Sequence, residues 1–180
     1  AGLSMLFLLR RLVSSRWAAT AGAVVFALNG TFAWMFHAPG NPVAFAPMLI
    51  LGIEQCRSPG RRGLAGWPLI AVAVALSLYA GFPEMAFIDG LLAVLWAAIR
   101  ASEMRRSDLA GFARRLAAGA ATGALLAAPI LVAFATFTQS ADLLDHGGNG
   151  FLNAWMSAPV TLPALVMPYV YGPICSYLSY

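Results

Sequence analysis

RRGLAGWPLIAVAVALSLYAGFPEMAFIDGLLAVLWAAIR, residues 61–100, begins and ends on arginine and carries no basic side chain from Gly63 to Ile99. A hydrocarbon core is crossed by about 20 helical residues at 1.5 Å rise each, so the stretch is about two crossings long. A chain that crosses twice returns to the side it left. The same spacing recurs upstream, where residues 17–56 are apolar and free of basic side chains. All basic residues are arginines, and they fall in three clusters: Arg10, Arg11 and Arg16; Arg57, Arg61 and Arg62; Arg100, Arg105, Arg106, Arg114 and Arg115. The three clusters are therefore expected on one face of a membrane, and an arginine excess marks that face as cytoplasmic.

Composition points to the same class. Hydrophobic residues make up 61% of the chain and charged ones 10%, with a mean hydropathy of +0.77, more apolar surface than a soluble domain of this size needs. A net charge of +4 would ordinarily raise nucleic acid as a partner. The arginines sit at helix ends, however, and not on a stripe interleaved with aromatics, which speaks against nucleic-acid binding. Cys56 and Cys175 map to opposite faces, so no bridge is expected between them.

The expected fold is all-α: a polytopic transmembrane helical bundle with spans at about 17–36, 43–56, 65–81, 84–99 and 116–137, followed by an extracytoplasmic segment over 138–180. His37 to Pro42 is turn chemistry between the first two spans. Residues 43–56 cover only about 21 Å as a helix and are expected to be buried or to thin the bilayer locally. Gly81 to Glu84 forms the second outer turn, with Pro83 at a helix start and Glu84 at the positive end of that helix's dipole. Residues 100–115 read as a surface helix. In the last span Gly119 and Gly123 form a GxxxG that lets a neighbouring helix approach, and Pro129 is expected to kink the outer half. Beyond it, Pro159, Pro163, Pro168 and Pro173 interrupt an aromatic-rich apolar stretch, which suits short interfacial or re-entrant helices. The apolar run Gly2–Leu9 precedes Arg10 and Arg11, the reverse of a signal peptide. It reads as the tail of an earlier span, making residues 1–180 part of a single transmembrane domain of a larger protein.

No phosphate loop, GxSxG, GxGxxG or HExxH is present, and His37 and His146 lie too far apart to be a metal pair by spacing. The polar residues that stand out are His37, Glu84, Asp142, Asp145 and His146, which three outer segments bring to one face. Glu84 follows Pro83 at a tight turn and is the candidate catalytic residue; His37, Asp89, Asp145 and His146 are candidate substrate-binding residues. Asp89 lies more than a turn inside a span, where an ionised carboxylate facing lipid costs several kcal/mol, so it must face helices, water or a partner; Asn29 matches it in depth. Glu54 is expected to pair with Arg57 or Arg61 on the cytoplasmic side.

The phrase FALNGTFAWMFHAPGNPVAFAPMLILGIEQC, the arginine loop and LSLYAGFPEMAF resemble the YfhO-like bacterial membrane proteins in order and spacing. So do LAAGAATGALLAAPILVAFATFTQSA and LPALVMPYVYG. The resemblance implies a GT-C type glycosyltransferase of the bacterial inner membrane, using a polyprenyl-phosphate-linked sugar donor to glycosylate cell-envelope glycopolymers on the extracytoplasmic face. It places Glu84 at the family's acid or amide after GHP and His37 at its histidine before the first return helix. Phe82 stands where the family often has histidine. The main catalytic acid is expected upstream of Ala1, so this fragment alone is expected to be inactive; a divalent metal requirement stays open. Expected partners are the lipid bilayer, the lipid-linked sugar and the rest of the same polypeptide. A transporter or flippase of lipid-linked sugars, with Asp89 and Asn29 lining a midplane path, and a non-catalytic membrane assembly subunit are the alternatives.

Overall fold

The structure, a computed structural model, describes residues 1–29, 40–58 and 60–140. Every regular element among them is an α-helix, as the sequence predicts: α1 (Gly2–Leu12), α2 (Arg16–Ala27), α3 (Gly40–Val43), α4 (Ala46–Cys56), α5 (Arg61–Leu64), α6 (Gly66–Tyr79), α7 (Pro83–Ser102), α8 (Arg106–Leu126) and α9 (Ala128–Ser140). The chain divides into two compact units, Ala1–Phe134 and Ala135–Tyr180. The helices belong to the first, except that α9 runs on into the second, whose described residues are helical.

Local chemistry sets the helix ends. Ser15 caps α2, its hydroxyl oxygen accepting from the Ala18 N–H at 3.3 Å. α2 then stops at Ala27, short of the expected 36, and the Asn29 amide donates to the Phe26 carbonyl at 2.8 Å. A side chain that bonds a backbone carbonyl in this way competes with continuation of the helix. The expected return span at 43–56 is broken at Ala44 and Phe45 into α3 and the 11-residue α4. Between α6 and α7, Gly81 takes φ +84, a value that favours glycine. Phe82 then takes φ −134 and ψ 83, outside the helical region that a following proline disfavours, and Pro83 opens α7 with Glu84 in its first turn and Arg100 in its last.

Most of the expected surface helix and the first half of the last span share one element, α8, which begins at Arg106 directly after the turn that ends α7. It bends by 63° into α9 at Ala127. Pro129 accounts for the break, because it lacks an N–H and its ring clashes with the carbonyl four residues earlier. By length and composition α7 is long and apolar enough to cross a membrane, with a mean hydropathy of 1.6. The bent α8–α9 pair passes together, whereas α6 is apolar but shorter.

Within Ala1–Phe134 the core gathers on α4 and α6, with Leu49, Ile50, Ile53, Cys56, Ile70 and Ala73 buried and Phe112 closing one end. α6 is central, packed between α4 and α8. Both contacts are backbone-close. A Cβ at Gly66 would lie 2.5 Å from the Gly52 carbonyl and 2.6 Å from the Cys56 sulfur. On the other side, a Cβ at Gly119 would lie 2.8 Å from the Trp67 carbonyl, and one at Gly123 2.8 Å from that of Ala71. The GxxxG is therefore a real helix contact, and α6 is its partner.

Replacing Gly119 or Gly123 by leucine is expected to lower stability by about 1–3 kcal/mol, since the overpacked atoms include backbone. Gly90 has nothing within 4 Å of an added methyl, so Gly90→Ala is expected to add about 0.5–1 kcal/mol through helix propensity. Unfolding midpoints in a denaturing-detergent titration distinguish the two; equal responses would contradict the α6–α8 approach.

Candidate functional site

Contacts define the direction of each helix. Gly2 meets Ala27 and Gly22 meets Leu9, so α1 and α2 are antiparallel. Gly52 meets Ile70 and Cys56 meets Gly66, so α4 and α6 are antiparallel, while Gly119 on Ile70 and Gly123 on Val74 make α6 and α8 parallel. Glu54 reaches Trp96 and Arg100, close to the ends at which α4 and α7 both finish. Directions therefore alternate as the arginine spacing requires, and the three clusters converge at one end. Arg11 donates to the Glu54 carbonyl at 3.4 Å, Arg57 and Arg100 both bridge to Glu103 at 3.0 Å, and a Cβ on Gly63 would lie 3.1 Å from Arg115 Cζ.

The Glu54 side chain is the hub of that end. It is 8% exposed, and its Oε1 accepts from Trp96 Nε1 at 2.8 Å and Arg100 Nε at 2.7 Å, while Oε2 accepts from Arg57 at 3.3 Å. The Arg100 guanidinium also lies over the Trp96 ring, 4.6 Å from its centroid. Within this cluster the two carboxylates and two guanidiniums balance, each paired with an opposite charge. The sequence predicts the Arg57 contact; Arg61 lies outside the described side chains. Arg100 is the partner that sequence spacing did not suggest. The signal was present, because two spans running the same way bring Glu54 and Arg100 to one depth, and Trp96 stands one helical turn before Arg100.

Glu84 stands at the opposite end. Glu84 is exposed in the first turn of α7, with no ion pair or hydrogen bond to another described residue. Asp89, five residues further on, points the other way round the helix and is 7% exposed. Among the described residues its Oδ2 has no hydrogen-bond partner, nor has the hydroxyl of Ser77, which is 5% exposed near the end of α6. Asn29 does not fill the role its depth suggested, since its amide bonds within α2 and no hydrogen bond joins it to Asp89. α3 packs against both α6 and α7, with Gly40 and Pro42 buried. It thereby carries the chain from residue 40 onto these two helices. His37, Asp142, Asp145 and His146 lie outside the described residues, as does Cys175.

Among the described residues, α7 thus carries an exposed carboxylate at its start, and Asp89 on α7 and Ser77 on α6 are buried polar groups without hydrogen-bond partners. Among the described residues no three His, Cys, Asp or Glu side chains meet as metal ligands. No protein family, curated protein or solved structure matches the chain.

Glu54→Ala is expected to cost about 3–5 kcal/mol, because it leaves Arg100 and the Trp96 indole without their buried acceptor. Glu103, being 43% exposed, should cost no more than about 1 kcal/mol when changed to Gln. Denaturant midpoints measured in detergent micelles check both, and similar costs for the two would contradict the hub role.

Proposed function

We propose that this chain is part of a polytopic protein of the bacterial inner membrane, with the arginine end in the cytoplasm and the Glu84 end outside. In the intact protein it forms part of a GT-C type glycosyltransferase. The supporting observation is the separation of charge along the bundle: Arg11, Arg57, Arg100 and Arg115 meet at one end, and an exposed, backbone-held Glu84 stands at the other. α7, between those ends, buries only 11% of its apolar window, and Phe87, Ile88, Leu91, Leu92, Val94 and Leu95 all stand at least half exposed. Such a face suits lipid or further helices of the same protein and not water.

The order and spacing of the YfhO-like phrases support the chemistry. The acceptor hydroxyl loses its proton to a carboxylate, a bond forms from its oxygen to the anomeric carbon, and the bond from that carbon to the polyprenyl phosphate oxygen breaks. Among the described residues Glu84 is the exposed group at that end that can take the proton. Charge on the departing phosphate needs stabilisation as well. The N-terminus of α7, where Glu84 sits, is one source, and the rest of the polypeptide or a divalent metal ion is another. Donor and acceptor are a lipid-linked sugar and an envelope glycopolymer.

A transporter or flippase of lipid-linked sugars is the second reading, and buried Asp89 favours it. A carboxylate inside a span with an oxygen lacking a partner is costly unless it serves a path, and Ser77 on the neighbouring helix adds a second such group.

In the intact protein, Glu84→Gln is expected to reduce sugar transfer at least 100-fold, the range of a lost general base, with membrane levels unchanged; full transfer would remove Glu84 from the site. Asp89→Asn should leave transfer within a few-fold. Loss of lipid-linked sugar translocation with transfer intact would favour the second reading. Cysteines placed singly at residues 60, 103 and 84 should react from the cytoplasm, the cytoplasm and the outside in turn, and a uniform pattern would defeat the topology.

A further inference from the structure

The turn between α1 and α2 holds more positive charge than the protein neutralises. Residues 1–29 contain no Asp or Glu, and none of the ion pairs among the described residues involves Arg10 or Arg16. Arg11 of α1 donates to the backbone carbonyl of Glu54, and the carboxylate oxygens of that residue are already held by Arg57, Arg100 and Trp96. Arg10, Val13, Ser14 and Arg16 line an open cleft of about 410 Å³ at the turn. Next to it the Trp17 indole is 86% exposed, and Leu12 and Val13 are exposed as well.

These features belong to different solvents. Two guanidiniums and a hydroxyl around one cleft suit a phosphate, which arginine forks bind through paired N–H donors. A bare indole flanked by leucine and valine suits the zone just below the headgroups, where tryptophan is enriched. One molecule with both parts is a phospholipid. The phosphodiester must also lack an amine of its own, because a neighbouring ammonium would be repelled by Arg10 and Arg16, and no carboxylate lines the cleft to hold it.

We propose that the cleft lined by Arg10, Ser14 and Arg16 binds the phosphate of an anionic phospholipid, with Trp17 seated beside it at glycerol depth. The site sits at the arginine end and so differs from the Glu84 end in place and chemistry. It rests on the membrane reading above and not on sugar transfer. A lipid held there ties the α1–α2 hairpin to the cytoplasmic leaflet, where anionic headgroups attract arginine at about five-fold per side chain.

The test uses the full chain in phosphatidylcholine vesicles doped with a photoreactive phosphatidylglycerol or, separately, a photoreactive phosphatidylcholine, with the labelled peptides mapped by mass spectrometry. The expected result is labelling of residues 10–17 by phosphatidylglycerol at least tenfold above phosphatidylcholine. Arg10→Gln/Arg16→Gln should remove that preference, and Arg105→Gln/Arg106→Gln, the same charge loss elsewhere, should leave it. Equal labelling by the two lipids overturns the site, as does an equal loss in the two double variants, which would mean bulk charge. Abolition of the preference by millimolar inorganic phosphate would make the cleft a soluble-anion site and overturn the lipid assignment. Failure of the chain to enter the vesicles at all overturns the membrane reading together with this one.

Discussion

A carboxylate with 8% exposure and three donors, Glu54, holds the register of this bundle. It sits two residues before the end of α4 and takes Trp96 and Arg100 from the last turns of α7, so two helices that run the same way finish together. Removing a charge from water costs several kcal/mol, which attraction offsets only when geometry and hydrogen bonds are complete. Here they are: the indole N–H and the two guanidiniums meet its two oxygens, and Glu103 neutralises what is left of both arginines. A slip of one turn between α4 and α7 would take Trp96 and Arg100 away and leave the buried carboxylate with Arg57 alone. The cluster thus specifies one alignment, and that alignment puts the start of α7, with Glu84, at the far end.

The second constraint is backbone proximity around α6. Glycines at 52, 66, 119 and 123 let α4 and α8 approach it until a single added carbon would collide with a carbonyl. Without them the central helix could not be flanked so closely on both sides. α7 lies outside this arrangement. It touches α4, α3 and α6 along one side and leaves most of its apolar surface uncovered, which is why it resembles a helix built for a solvent other than water. The close-packed part and the loosely attached α7 meet at the Glu54 cluster, so the charge network supplies much of what the apolar contact there does not.

Much of this was legible in the sequence. Arginine clusters spaced by about two crossings predict helices of alternating direction, and the contacts have that alternation. Pro83 with Glu84, Pro129 and the GxxxG each behave as local chemistry implies. Helix length was less legible. Residues 17–36 and 43–56 read as unbroken spans by hydropathy, yet Asn29 turns back on α2 and the turn at Ala44–Phe45 divides α3 from α4. Hydropathy averages over such side-chain and turn effects. The surface helix and the first half of the span after it are continuous for the complementary reason, since nothing between Arg106 and Leu126 breaks a helix.

The sequence by itself determined the all-helical class, the gathering of the arginine clusters at one end of the described helices and the exposure of Glu84 at a proline turn, because these depend on composition, on spacing and on bonds between near neighbours in the chain. Only the tertiary structure decided that Glu54 belongs to Arg100 and Trp96, that α6 is the partner of Gly119 and Gly123, and that Asp89 faces inward with an oxygen unpaired. Each of those is a matter of which faces of distant helices meet. A helix rotates by about 100° per residue, so the sequence names the faces, and packing alone selects their partners.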